Sequence, residues 1–180
     1  MRPQYTSRSM ATICRSLSRF GTTSLRLHHQ VEDGLRASTL TERGLRAAGL
    51  KTGRYTSPHL DRIEERVAID GRPIDAATFE SVTADVLEAV DHLKAENRLT
   101  VTPTFFEVST AVAFEIFRRA AVDVAVVEVG LGGRFDATNV LTPTITAITS
   151  IAFDHERHLG NTLGQIAFEK AGIAKRGVPL

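Results

Sequence analysis

Three side chains able to act as donors fall where strands should end: Ser57, Glu128 and His155. Hydroxyl, carboxylate and imidazole form a mixed set that suits Mg²⁺ or Mn²⁺ completed by phosphate oxygens, not a structural zinc cage. Glu128 carries most of this reading. It follows the apolar run Val122–Val127, interrupted only by Asp123 and Ala125. A carboxylate at the tip of a buried strand is costly unless it is paired or holds a metal. Ligands of open α/β sheets sit in the crevice beyond the carboxyl ends of the strands. Gly130, Gly132 and Gly133 come next and would let backbone approach a ligand closely. Taken singly, each residue has an ordinary alternative. An isolated serine is usually a turn residue, and an isolated histidine a hydrogen-bonded bystander. Lys170, between Glu169 and Ala171 on a helix, would normally be solvated. His155-Glu156-Arg157-His158 is not a zinc-protease helix, because its histidines are three apart instead of four. Gly130-Leu131-Gly132-Gly133-Arg134-Phe135 lacks the last glycine of a dinucleotide fingerprint.

For such donors to meet, parallel strands must lie side by side. Val122–Val127 is too short for an independent helix and rich in β-branched residues, which predicts a strand buried on both faces. A second buried strand is expected at Thr144–Ile151, with Asp154-His155 just past its end. Lys51–Tyr55 is a shorter candidate leading into Thr56-Ser57-Pro58-His59-Leu60, a loop because Pro58 drives Ser57 out of the helical region. Arg66–Ile74 carries the Asp70-Gly71 signal of a hairpin. One helix is expected over Ser38–Ala48, stopped by Gly49. Another spans Asp75–Asn97, where Phe79, Val82, Val86, Val90 and Leu93 recur at helical spacing. A third opens at Thr104, whose capping box with Glu107 precedes a run to about Arg119. The last covers about Thr162–Lys175. Strands alternating with helices mean an α/β fold, a parallel sheet flanked by helices. An apolar strand is only beginning at Val178-Pro179-Leu180, so the sheet is expected to be incomplete at the C-terminus.

The chain has 180 residues, 42% hydrophobic and 24% charged, with a formal net charge of +1. That allows one domain with a real core. Near-neutral charge argues against nucleic acid as a partner. No apolar run reaches the ~18 residues of a membrane helix, so a soluble chain without membrane partners is expected. The single cysteine, Cys14, excludes an internal disulfide and fits a reducing compartment such as the cytoplasm. The first thirty-one residues hold five arginines, nine Ser or Thr and no acid. Organelle transit peptides have that composition, but the plainer reading, a poorly ordered leader, is preferred.

At the quoted residues the chain resembles the bifunctional dihydrofolate synthase/folylpolyglutamate synthases of the Mur ligase superfamily. The motifs stand in the family's order from about Ala47 to Leu180: TSPHL at Thr56, ER with V-x-I-x-G over Glu65–Gly71, and TFFE at Thr104. EVGLGGRFDATN at Glu128, TSIAFDHERHLG at Thr149 and EKAGIAK at Glu169 follow. TSPHL and GGRFDATN separate it from the cell-wall Mur ligases. The resemblance implies a P-loop NTPase-like central domain and an ATP-dependent amide ligase. ATP would phosphorylate a carboxylate of dihydropteroate or a folate, and the amine of L-glutamate would attack the acyl phosphate. By motif match Ser57, Glu128 and His155 would hold Mg²⁺, and Thr104, Phe135, Asp136 and Ala137 would belong to the pterin surface. Lys170 matches a lysine that the family carbamylates, which places it with His155 in the catalytic machinery. A monomer acting on small molecules is implied.

One family motif is missing. The phosphate-binding loop GTNGKG[ST] should precede the helix that leads to TSPHL. Here the stretch reads Val31-Glu32-Asp33-Gly34-Leu35-Arg36-Ala37-Ser38-Thr39. Aligned on Ser38 and Thr39, the residues that would contact ATP, Arg36 replaces the lysine; aligned on the distance to TSPHL, Gly34 does. Neither alignment restores the glycines, and Glu32 and Asp33 would repel a triphosphate. The expected division is therefore residues 1–37, a leader of uncertain order holding the degenerate loop, and 38–180, a partial ATP-binding central domain. On its own this chain is expected to lack ligase turnover. The alternative is a non-catalytic remnant that binds a pterin or a partner.

Overall fold

The protein is described by a computed structural model covering residues 10–14, 23–28 and 31–180. Its strands are β1 (Thr23–His28), β2 (Thr52–Tyr55), β3 (Val67–Ile69), β4 (Arg72–Pro73), β5 (Val124–Glu128) and β6 (Ile145–Ile148). Its helices are α1 (Val31–Ala47), α2 (Ala76–Ala95), α3 (Phe105–Ala120), α4 (Glu156–Leu159) and α5 (Leu163–Ala171). Residues 10–14 are also helical. The strands form one sheet in the order β4-β3-β2-β5-β1-β6. The expected parallel pairing holds for β2, β5, β1 and β6. The sheet as a whole is mixed, because the Asp70-Gly71 hairpin adds β3 and β4 antiparallel at one edge.

The two faces of β2 and β5 differ in chemistry because side chains alternate along a strand. On one face Tyr55, Ala125 and Val127 join Val112, Ile116 and Phe117 of α3 and Val82, Val86, Val90 and Leu93 of α2 in the core. Gly53 belongs to this face: a Cβ there would meet the Phe117 ring at 2.6 Å. The Tyr55 hydroxyl is 3.1 Å from Thr110 Oγ1 on α3. Met10 and Ile13 are buried in the same cluster. The other face, under α1, places Thr52, Arg54 and Thr56 beside Val124, Val126 and Glu128. Among the described residues no helix is long and apolar enough to cross a membrane.

The long helices form where periodicity and capping predict. Asp75 accepts the Thr78 N–H at the start of α2, and both halves of the Thr104–Glu107 capping box are present at α3. β6 is shorter than expected, and Val178–Leu180 is not a strand, although the Pro179 carbonyl accepts the Thr146 N–H at 2.9 Å. β1, α4 and the helix over residues 10–14 were not anticipated. β1 lies within the stretch read as a leader, yet pairs with β5 and β6 in the middle of the sheet. Its Thr-Ser-Leu-Arg-Leu-His sequence has only two apolar residues, and its pairing is entirely non-local. α4 has four residues, too few to show a period.

Candidate functional site

Glu128 is the last residue of β5 and only 3% exposed. Its Oε2 accepts the Ser57 backbone N–H at 3.1 Å, joining the tips of two parallel strands. Burial pushes the carboxyl up to about 7, against the pull of that N–H and of the Arg54 and Arg66 guanidiniums. The arginines have partners of their own. Arg54 Nε donates to Glu42 Oε2 of α1 at 2.8 Å, and its Nη1 lies 3.4 Å from Thr56 Oγ1. Arg66 Nε donates to His59 Nδ1 at 2.9 Å, and its guanidinium lies over the Phe105 ring.

The structure thus brings Ser57 and Glu128 together. His155 lies past β6 at the start of α4, with φ of 47° and Nε2 3.6 Å from Asp154 Oδ2. Among the described residues no three His, Cys, Asp or Glu side chains form a cluster; a set of one hydroxyl, one carboxylate and one imidazole would not count as such a cluster. The adjacent hydroxyl-bearing and carboxylate residues fit a hard divalent cation.

Lys170 is on α5 and 2% exposed, so it is not the solvated residue its neighbours suggest. Burial pulls its amine below the usual lysine range, Asp154 opposing, and Nζ lies 3.4 Å from the Ser150 carbonyl.

Thr104, Phe135, Asp136 and Ala137 all line one cavity of about 760 Å³ between the start of α3, the glycine loop, α4 and α5. Phe106 and Phe168 add aromatic walls. Asp136 also has a structural task. Its Oδ2 accepts the N–H groups of Gly130 and Leu131, both at 3.0 Å, and its Oδ1 accepts the Thr138 N–H at 2.9 Å and hydroxyl at 2.5 Å. The loop glycines also serve close packing, and Gly132 and Gly133 line the cavity. A Cβ on Gly130 would strike the Phe106 ring at 2.3 Å, and one on Gly133 the Lys170 carbonyl at 2.8 Å. Gly132 has φ of 66° and faces Leu159.

No protein-family model matches the chain. It is 45% identical over 136 residues to a folylpolyglutamate synthase of Lacticaseibacillus casei, covering 76% of this chain and 32% of that one. A solved structure described as a complex of FPGS with AMPPCP and folate superposes with a TM-score of 0.91 at 37% identity, covering 99% of this chain and 44% of that one. A bifunctional folylpolyglutamate synthase/dihydrofolate synthase with Mn, AMPPNP and L-glutamate bound gives 0.83 at 35%, covering 96% and 41%. Along about three quarters of its length the chain is similar to folylpolyglutamate synthases and dihydrofolate synthase/folylpolyglutamate synthases. It spans about a third of the length of the L. casei relative.

The segment before Ser38 lacks the glycine-rich pattern that the resemblance leads one to expect. β1 ends at His28 and α1 begins at Val31, leaving His29 and Gln30 between them. Val31–Thr39 is helical, so Ser38 and Thr39 lie about two turns inside α1 and not at its start. Ser38 is fully buried and its hydroxyl has no hydrogen-bond partner. Sequence reasoning missed Glu42, Arg54, Arg66 and Asp154. The signal for Arg54 was the polar alternation Thr52, Arg54, Thr56 within a buried strand; Glu42 gave none, since its partners lie on other elements.

Proposed function

We propose that the protein is part of an ATP-dependent ligase that joins L-glutamate to dihydropteroate or a folate. A substrate carboxylate oxygen attacks the γ-phosphorus of ATP, releasing ADP. The glutamate amine then attacks the acyl carbon, and phosphate leaves as the amide forms. Supporting this is one observation above all: Thr104, Phe135, Asp136 and Ala137, assigned to the pterin by motif, line a single cavity with Phe106 and Phe168. Aromatic walls and a few polar groups suit a flat heteroaromatic ring. In this reading residues 38–180 are part of the central domain. Ser57 and Glu128 hold Mg²⁺, with His155 as the third ligand, and the cation, when bound, offsets phosphate charge. Burial favours the neutral Lys170 amine, the form whose lone pair could bond to CO₂, losing a proton to give a carbamate. A cytoplasmic monomer fits the single cysteine and small-molecule substrates.

A second reading, binding without turnover, is favoured by the helix that replaces the phosphate loop. For the 180-residue chain we expect heat on titration with dihydropteroate, none with Mg-ATP, and no radiolabelled glutamate joined to a folate. Glutamate incorporation would restore the ligase reading to this chain alone. Failure to bind dihydropteroate would remove both readings.

A further inference from the structure

Resting on the reading of the cavity as a pterin site, we propose that Arg157 holds the anionic tail of the ligand and so fixes which way round it enters. The lining divides by access to water. Glu107, Asp136 and Ala137 are only 3%, 5% and 3% exposed, whereas Glu156, Arg157 and His158 of α4 are exposed. Taking a carboxylate out of water into the buried end is costly, while a flat ring gains there. The buried end is also acidic. Asp136 is gripped by loop N–H groups, and Glu107 Oε2 accepts the Thr104 N–H at 2.7 Å and hydroxyl at 2.9 Å. An anionic tail placed beside these two acids would be repelled, so it belongs at the α4 end.

Among the described residues that line the cavity, Arg157 is the only arginine or lysine. Arg134, next to Phe135 in the chain, is already engaged. Its guanidinium lies 3.9 Å from the centroid of the Phe168 ring, and its Nε is 3.9 Å from Glu169 Oε2. Among the described residues no hydrogen bond or ion pair occupies the Arg157 side chain. A guanidinium presents a planar fork that can grip both oxygens of a carboxylate. The ligand class is therefore a flat ring carrying a carboxylate-ended tail, ring inward and tail on α4. Glu156, adjacent to Arg157 and also lining the cavity, opposes the tail with its own charge.

The test is calorimetric titration of the 180-residue chain with dihydropteroate and with its methyl ester, which lacks the negative charge. Wild type should bind the acid about fivefold more tightly than the ester, the effect of one solvent-accessible charge pair. That preference should shrink as salt is raised. Arg157→Gln should abolish it by weakening the acid and leaving the ester unchanged. Glu156→Gln should act with the opposite sign, tightening the acid without moving the ester. Both positions are exposed, so neither variant threatens the fold. Equal wild-type affinities for acid and ester, a preference that survives in Arg157→Gln, or weaker acid binding in Glu156→Gln would each overturn the proposal. If the wild-type chain binds neither compound, the pterin reading fails and takes this proposal with it. That result is distinct from a chain that binds both alike, which removes only the role of Arg157.

Discussion

Glu128 is where a single residue sets a measurable property of the fold. Its ordinary carboxyl value of 4.5 rises to about 7 in the folded state. A raised value means that folding favours the protonated form. The contribution is complete below the unfolded value of 4.5 and is lost as pH rises through about 7. The difference corresponds to ~3 kcal/mol. Glu128→Gln keeps an acceptor for the Ser57 N–H without the buried charge. In urea unfolding it should match wild type at about pH 4 and exceed it by about 1–3 kcal/mol at about pH 8. Equal stability at both pH values would show that the carboxylate is compensated in the fold. Lys170 works in the opposite sense: its lowered value makes its contribution present at high pH and lost as pH falls. At this scale the sequence was informative about Glu128, because an acid closing a β-branched run is expensive wherever it lies. It said little about His155, whose direction depends on a four-residue helix, or about Glu42, whose partners lie on β2 and in the hairpin turn.

Among the elements, the glycine loop shows how close packing places a site. Gly130→Ala would force a Cβ within 2.3 Å of the Phe106 ring, with the three nearest ring atoms all under 3.0 Å. It should cost about 1–3 kcal/mol in thermal unfolding. Gly164→Ala, on α5 with nothing within 4 Å of its Cβ, should instead stabilise by roughly 0.5–1 kcal/mol. Finding the two alike would mean that the loop adjusts freely over Phe106. The helices were the legible elements. The Val82-Val86-Val90-Leu93 stripe and the Thr104–Glu107 box are local patterns, readable without knowing what they pack on. β1 was not, since nothing in Thr-Ser-Leu-Arg-Leu-His announces a strand until β5 and β6 lie on either side of it.

Taken as a whole, the molecule packs different helices on the two faces of one sheet. Tyr55, Ala125 and Val127 join α3 in the core on one side, while Thr52 and Arg54 reach Glu42 of α1 on the other. The α/β class followed from the alternation of elements, and the mixed pairing followed from one Asp-Gly turn. The helical run through Val31–Ala37 was not anticipated; the sequence showed only that most of the expected loop glycines are missing, Gly34 excepted. The Asp136 carboxylate, gripped by donors from Gly130, Leu131 and Thr138, has a kinetic consequence. A molecule arriving at the cavity meets a loop already held in place by these bonds, so little ordering should accompany capture. In stopped-flow mixing, the observed rate should climb in proportion to pterin concentration without levelling off; a plateau would reveal a slow rearrangement.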